Sequence, residues 1–137
     1  MPATPRFRLL LLASSLLALA APTLRAAPAT LDERIILVPD AGTDKEDRDI
    51  TQWQARIRIA AGSEQAVAGA YERLGWAYMA KARRTLDAGY YKLAEKTADV
   101  MDARFGSTSE ALLLRGSVDH NLHRFAEALS DSLAAIR

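Results

Sequence analysis

GYYKLAEKTADVM at residues 89–101 and HRFAEALSDSLAA at residues 123–135 are the two stretches whose comparison decides the fold. Laid over each other, they pair Tyr91 with Phe125, Ala94 with Ala128, Ala98 with Ser132 and Met101 with Ala135, always 34 residues apart. In each stretch an aromatic residue is followed by small residues three and seven positions later, which puts all of them on one face of a helix. Small side chains let a neighbouring helix come close, and the ring fills the space at the helix entrance.

Upstream, the same helical period continues. Val67, Tyr71, Leu74, Gly75, Tyr78, Met79 and Ala82 are spaced by three, four and seven, with Ser63 as a cap and Asp87-Ala88-Gly89 as a stop. A helix from about Tyr90 to Arg104 points Tyr91, Ala94, Ala98 and Met101 inward and ends at Gly106. Ala111, Leu112, Leu114 and Val118 mark a further helix, and Phe125, Ala128, Leu129, Ser132 and Ala135 the last. Before these, Thr51 caps a helix carrying Ile50, Trp53, Ile57 and Ala60 along one side. No strand-like alternation occurs after residue 40, so the expectation is helices joined by short turns.

A 34-residue period in helix pairs resembles the tetratricopeptide repeat. Tyr71-x-x-Leu74-Gly75-x-x-Tyr78 is similar to that family's aromatic-x-x-Leu-Gly-x-x-Tyr first helix. In the second unit Leu112 and Gly116 match, while Arg115 and Asp119 replace the expected Leu and Tyr. Gly75 and Gly116 are 41 residues apart, so seven extra residues, about two helical turns, lie between Met79 and Gly89. The resemblance covers roughly residues 50–137 and implies an all-α fold: antiparallel helix pairs stacked as a short right-handed solenoid, about two repeats with the second incomplete. Because solenoids stack about three units plus caps, a chain stopping at Arg137 reads as a fragment, a truncated frame, or a protein completed by a partner.

The resemblance also implies a concave surface lined by the first helix of each pair. Its positions are Gly69, Glu72, Trp76, Met79 and Ala80 in the first unit, and Glu110, Leu113, Ser117, His120 and Asn121 in the second. These do not reproduce the Lys/Asn/Arg clamp by which some members hold a C-terminal carboxylate, and Glu72 and Glu110 oppose such a ligand. Trp76, Met79 and Leu113 either form an apolar anchor for a partner or pack as core against the helix at Trp53. The partner-binding residues expected are Glu72, Trp76, Met79, Leu113, Ser117 and His120.

Chemistry is not legible. The chain has no Cys, which excludes disulfides, thiolate metal sites and cysteine nucleophiles. There is no phosphate loop, nucleophile elbow or zinc-protease motif, and the carboxylates are scattered. His120 and His123 beside Asp119 read as solvated turn histidines rather than a metal site. Lys81, Arg83 and Arg84 read as cations that solvate their helix. No catalysis, cofactor or metal is expected.

Residues 28–49 hold Pro28, Pro39, Gly42 and the cluster Asp44-Lys45-Glu46-Asp47-Arg48-Asp49, with Ile35-Ile36-Leu37-Val38 as the one apolar piece. The expectation is a short extended piece followed by an irregular, acidic, hydrated linker without the spacing of a calcium loop. At the start, Arg6 and Arg8 precede an apolar run from Leu9 to Ala21 that Pro22 ends. That is the plan of a secretory signal over residues 1–27, cut somewhere within 20–29, although an uncleaved N-terminal anchor has the same pattern. Losing Arg6, Arg8 and Arg25 turns the formal charge of +1 into fifteen basic residues against seventeen acidic, which leaves no footprint for nucleic acid or an anionic membrane. The expected function is that of an exported scaffold, periplasmic or extracellular, that binds a protein or peptide partner. The alternatives are the N-terminal docking part of a longer enzyme or transport component, and a fragment without independent function.

Overall fold

The computed structural model describes residues 30–59 and 62–137. The expected signal segment and Ala60 lie outside the described residues. Those that are described form α1 (Leu31–Ile36), α2 (Lys45–Ile59), α3 (Glu64–Thr85), α4 (Ala88–Phe105), α5 (Ser109–Asn121) and α6 (Phe125–Ala135), with no strand among them.

Local chemistry sets the boundaries. Ser63 and Thr108 accept hydrogen bonds from the backbone N–H groups of Ala66 and Ala111 and so cap α3 and α5. Asp87, expected to help stop α3, instead caps α4 by accepting from the Gly89 N–H at 2.8 Å. The stop falls on Leu86, held left-handed at φ 59° where a Gly or Asn is usual, with its side chain in solvent. Gly106 ends α4 at φ 84°. α3 runs for 22 residues, long enough to hold most of the stretch between Met79 and Gly89 in one helix.

α3 and α4, and likewise α5 and α6, pack antiparallel, as side chains at opposite ends show. Tyr71 near the start of α3 meets Phe105 at the end of α4, while Tyr78 stacks on Tyr90 at the start of α4. Ser109, first in α5, donates to the Ala135 carbonyl, last in α6. The core gathers Ile50 and Ile57 of α2, Tyr71, Leu74, Tyr78 and Met79 of α3, Ala94, Ala98 and Met101 of α4, and Leu114 and Val118 of α5.

The 34-residue partners do not share one environment. Ala94 and Ala128 are both buried, but Ala98 and Met101 are buried where Ser132 is exposed and Ala135 half-exposed. Tyr91 is half-buried, and Phe125 and Leu129, expected inward, are 58% and 61% exposed. Position in the stack explains this: α4 lies against α3, α5 and α1, whereas α6 touches α5 alone.

The reading of residues 28–49 as irregular is corrected at Leu31–Ile36 and from Lys45 onward, which are helical, while residues 37–44 between them carry no helix or strand. Ile35 and Ile36 belong to α1, and Ile36 is completely buried. A six-residue helix is too short to stand alone. Its last carbonyls are therefore satisfied from outside, Ile36 O by the Tyr78 hydroxyl at 2.6 Å and by Gln54 Nε2 at 3.0 Å, and Val38 O by the same Gln54 at 2.8 Å. The charged run is not a loop either. Asp44 and Asp47 accept reciprocally from each other's backbone N–H at 3.0 and 2.9 Å, a capping box that starts α2 six residues before Thr51. Lys81 is buried among Asp40, Asp44 and Asp47, and Arg84 pairs with Asp44 and Glu46, so these cations hold the segment to α3 rather than solvating the helix.

Where α3 crosses α5 the helices are close because Gly75 has no side chain. A Cβ there would overlap Leu114 Cδ2 and sit 3.2 Å from Cδ1, and Leu114 is itself fully buried. Gly75→Ala is expected to lower stability by about 1–3 kcal/mol through overpacking. Combining it with Leu114→Ala should cost less than the sum of the two, because one change makes room for the other. Urea midpoints of the three variants measure this, and strict additivity would contradict the crossing.

Candidate functional site

The side of the stack where α3, α5 and α6 meet carries an open cleft of about 460 Å³. Trp76 and Arg83 of α3 form one wall, Leu113, Gly116, Ser117, His120 and Asn121 of α5 the floor, and Phe125, Ala128, Leu129 and Ser132 of α6 the other wall. Trp76, Leu113, Ser117 and His120 thus line one cleft, with Asn121 beside them. Their helical phase explains it: 113, 117, 120 and 121 repeat at four, three and one along α5, a single stripe.

Met79 and Glu72 do not join them. Met79 has no exposed surface and belongs to the core, because it lies near Gly75 on the side of α3 that α5 approaches closely. Glu72 lines a separate hollow of about 340 Å³ with Gln65, Ala68, Gly69, Met101, Phe105, Thr108 and Glu110. Trp76 is itself half-buried against the core, and the Trp53 ring lies near Arg56 and Arg73.

The polar groups of the cleft are held in place. The Tyr91 hydroxyl donates to Asn121 Oδ1 at 3.1 Å, and Asn121 Nδ2 donates to the Ser117 carbonyl at 2.7 Å. Ser132 Oγ returns to the Ala128 carbonyl at 2.7 Å. His120 and His123 both stand edge-on to Phe125, at 5.7 and 5.6 Å between centroids, so the ring orders both imidazoles. Beneath, Arg124 pairs with Asp119 at 2.9 Å and with Glu95 at 2.7 Å and locks the corner from which α6 starts. Burial pushes the Asp119 carboxyl up, the nearby Asp131, Glu95 and Glu127 add to that, and the Arg124 charge opposes it. Its pairing with Arg124 gives Asp119 a structural role at this corner.

Phe125, Leu129 and Arg83 were not expected at this site. For Phe125 and Leu129 the signal was present as a stripe: Phe125, Leu129, Leu133 and Ile136 recur every three or four residues, and all four are exposed. A cleft with an aromatic wall, an apolar rim and fixed amide and hydroxyl groups can take an extended or helical segment. Among the described residues no group of three or more His, Asp or Glu could hold a metal ion, and no helix is long and apolar enough to cross a membrane.

No family model matches the chain, and no curated protein or solved structure does so either.

Proposed function

We propose that the chain is an exported, tetratricopeptide-like scaffold whose cleft between α3, α5 and α6 binds a segment of a partner protein and catalyses nothing. The reading is carried by one observation: Trp76, Leu113, Ser117 and His120, chosen as groove positions on two different helices, line the same open cleft. Antiparallel packing of α3 with α4 and of α5 with α6, and the additional packing of α3 on α5, support a repeat architecture. Export rests on the pattern of residues 6–29. The cleft's preformed walls leave most of the ordering cost to the partner segment, so affinity comes from a few anchors, Trp76, Leu113 and Phe125 first.

Selection of displayed peptides on the folded chain tests this. Enriched peptides should shift the emission of Trp76 in a Trp53→Phe background, where it is the remaining indole. Leu113→Asp should weaken them by about 30-fold, the loss of one good anchor. Peptides that bind Leu113→Asp unchanged, or a selection that enriches none, would overturn the reading.

A further inference from the structure

A second cleft, of about 490 Å³, opens between the end of α2 and the start of α3. Its lining is Trp53, Arg56, Ile59, Ala66, Val67, Gly69, Ala70 and Arg73. We infer that this cleft binds a small amphiphilic anion, an alkyl or aryl body carrying one carboxylate, with the body on Trp53 and the charge on Arg56 and Arg73.

The floor is apolar and open. Ala66, Val67 and Ala70 present short side chains, and at Gly69 a Cβ would meet nothing within 4 Å, so the hollow reaches the α3 backbone. Ile59, 71% exposed, stands at the edge as an apolar group left open among the described residues. The charge sits on the other side. The Arg56 and Arg73 guanidinium carbons lie 5.4 and 5.9 Å from the centroid of the one Trp53 ring, a cation–π arrangement that aims both at the same hollow.

Two guanidiniums gathered round one ring repel each other unless an anion sits between them. Among the described residues Lys45, Lys81, Arg84, Lys96, Arg104, Arg115 and Arg124 each have a carboxylate within 4.0 Å, whereas Arg34, Arg48, Arg58, Arg83, Lys92 and Arg137 do not; what sets Arg56 and Arg73 apart is that both stand over one ring at the edge of one hollow. Among the described residues Arg56 and Arg73 have none, and residues 1–29, 60 and 61 contain no Asp or Glu that could serve. A planar fork is the cation best suited to a carboxylate. The apolar floor requires more than a bare anion, and the volume suits a ligand of about ten to twenty heavy atoms. This site shares no residue with the α3–α5–α6 cleft and does not depend on the reading given to it.

The test is titration of the whole chain with octanoate, followed by calorimetry and by the NMR resonance of the Trp53 indole N–H. Saturable binding with a Kd on the order of 0.1–1 mM is expected for so small a ligand. Octanol, the same chain without the charge, should bind at least about tenfold more weakly, and so should inorganic phosphate, the charge without the chain. Arg56→Gln and Arg73→Gln should each weaken octanoate about tenfold while the helical circular dichroism is unchanged, since both side chains are exposed and unpaired. Four results would overturn the inference: no saturation by about 10 mM, equal binding of octanol, equal binding of phosphate, or arginine variants that bind as the parent does. Vesicles of anionic lipid that capture the chain while octanoate leaves Trp53 unshifted would overturn it as well, by moving the anion to a membrane surface.

Discussion

Replacing Lys81 by Met is expected to destabilise the protein by about 3–5 kcal/mol, enough to lower Tm by about 15–30 °C in a domain of this size. Met keeps the length and most of the volume of the side chain, so packing is little changed and the loss is electrostatic. The Lys81 ammonium lies 3.5 Å from Asp40 and 4.0 Å from Asp44, pairs with Asp47, and faces the Tyr90 ring at 5.2 Å. Its side chain is 7% exposed and that of Asp47 2%. Without the cation, the buried Asp47 carboxylate loses its counter-charge, since the remaining Arg84 pairs with Asp44 and Glu46 instead, and removing one partner of a buried pair is the change that costs most.

The pH dependence gives a second reading of the same network. Burial pushes the Asp40 carboxyl up, but the Gly42 backbone N–H, the Tyr90 hydroxyl and Lys81 outweigh it and hold it below its ordinary value of 3.8. A carboxyl lowered on folding contributes stability above its unfolded pKa and loses it as pH falls through the lower folded value. The parent should therefore lose stability in acid below about pH 4. In Lys81→Met part of that lowering is gone, so the gap between variant and parent should narrow on acidification. Urea midpoints from pH 7 down to pH 3.5 would measure both effects. A gap at neutral pH under about 1 kcal/mol would place the cluster among ordinary surface ion pairs.

Lys81 also shows where the sequence stops being informative. Helices α3 to α6 are legible because their determinants are local: Ser63 as a cap, Gly106 as a stop, and the 67, 71, 74, 78, 82 stripe. α1 and the start of α2 are not, because what folds them is distant. Glu33 is held by Tyr71, 38 residues away, and by Arg104, 71 residues away. Pro39, Gly42 and a run of charge look like loop until Lys81 and Arg84 are placed beside them. The Asp44–Asp47 capping box hides for a smaller reason, Asp standing at the position where Glu or Gln is usual.

The cleft is legible to the same degree. Helical phase puts Leu113, Ser117 and His120 on one stripe of α5, and the repeat resemblance supplies Trp76. Met79 fails because it lies about 40° round α3 from Gly75, on the side that α5 approaches closely, and is buried there. The place of Phe125 and Leu129 on the wall depends on which helix covers α6, and periodicity carries no information about that. The hollow at Trp53 depends on the meeting of α2 with α3, and a charge count along the chain cannot show that Arg56 and Arg73 lack partners.

Ile36→Ala decides whether the segment before α2 is part of the fold or an appendage. As a hydrated linker, residue 36 could be truncated within about 0.5 kcal/mol of no effect. As a completely buried side chain, it should cost about 2–5 kcal/mol. The loss should also be shared rather than confined to α1. If α1 lifted away, Tyr78 and Gln54, both almost fully buried, would lose the Ile36 carbonyl they donate to, and Glu33 would leave Tyr71 and Arg104. Each buried group left unsatisfied adds about 1–3 kcal/mol to the cost of local opening, so fraying of α1 becomes nearly as expensive as unfolding. Hydrogen exchange should then show the amides of α1 slowing and quickening together with those of α3 and α4, and Ile36→Ala should quicken all three. The phenols set an alkaline limit on the same lock. Burial pushes Tyr78 up to about 12, with Asp40 and Tyr90 adding and Gln54 opposing, and burial together with Glu33 raises Tyr71 further. A tyrosine raised on folding stabilises below its unfolded pKa near 10 and loses that contribution as pH climbs through the folded value. The lock should hold at pH 9 and weaken from about pH 10 upward. Exchange in which α1 opens freely while α3 stays protected, at pH 7 and in the parent chain, would return residues 30–44 to the status of a tether.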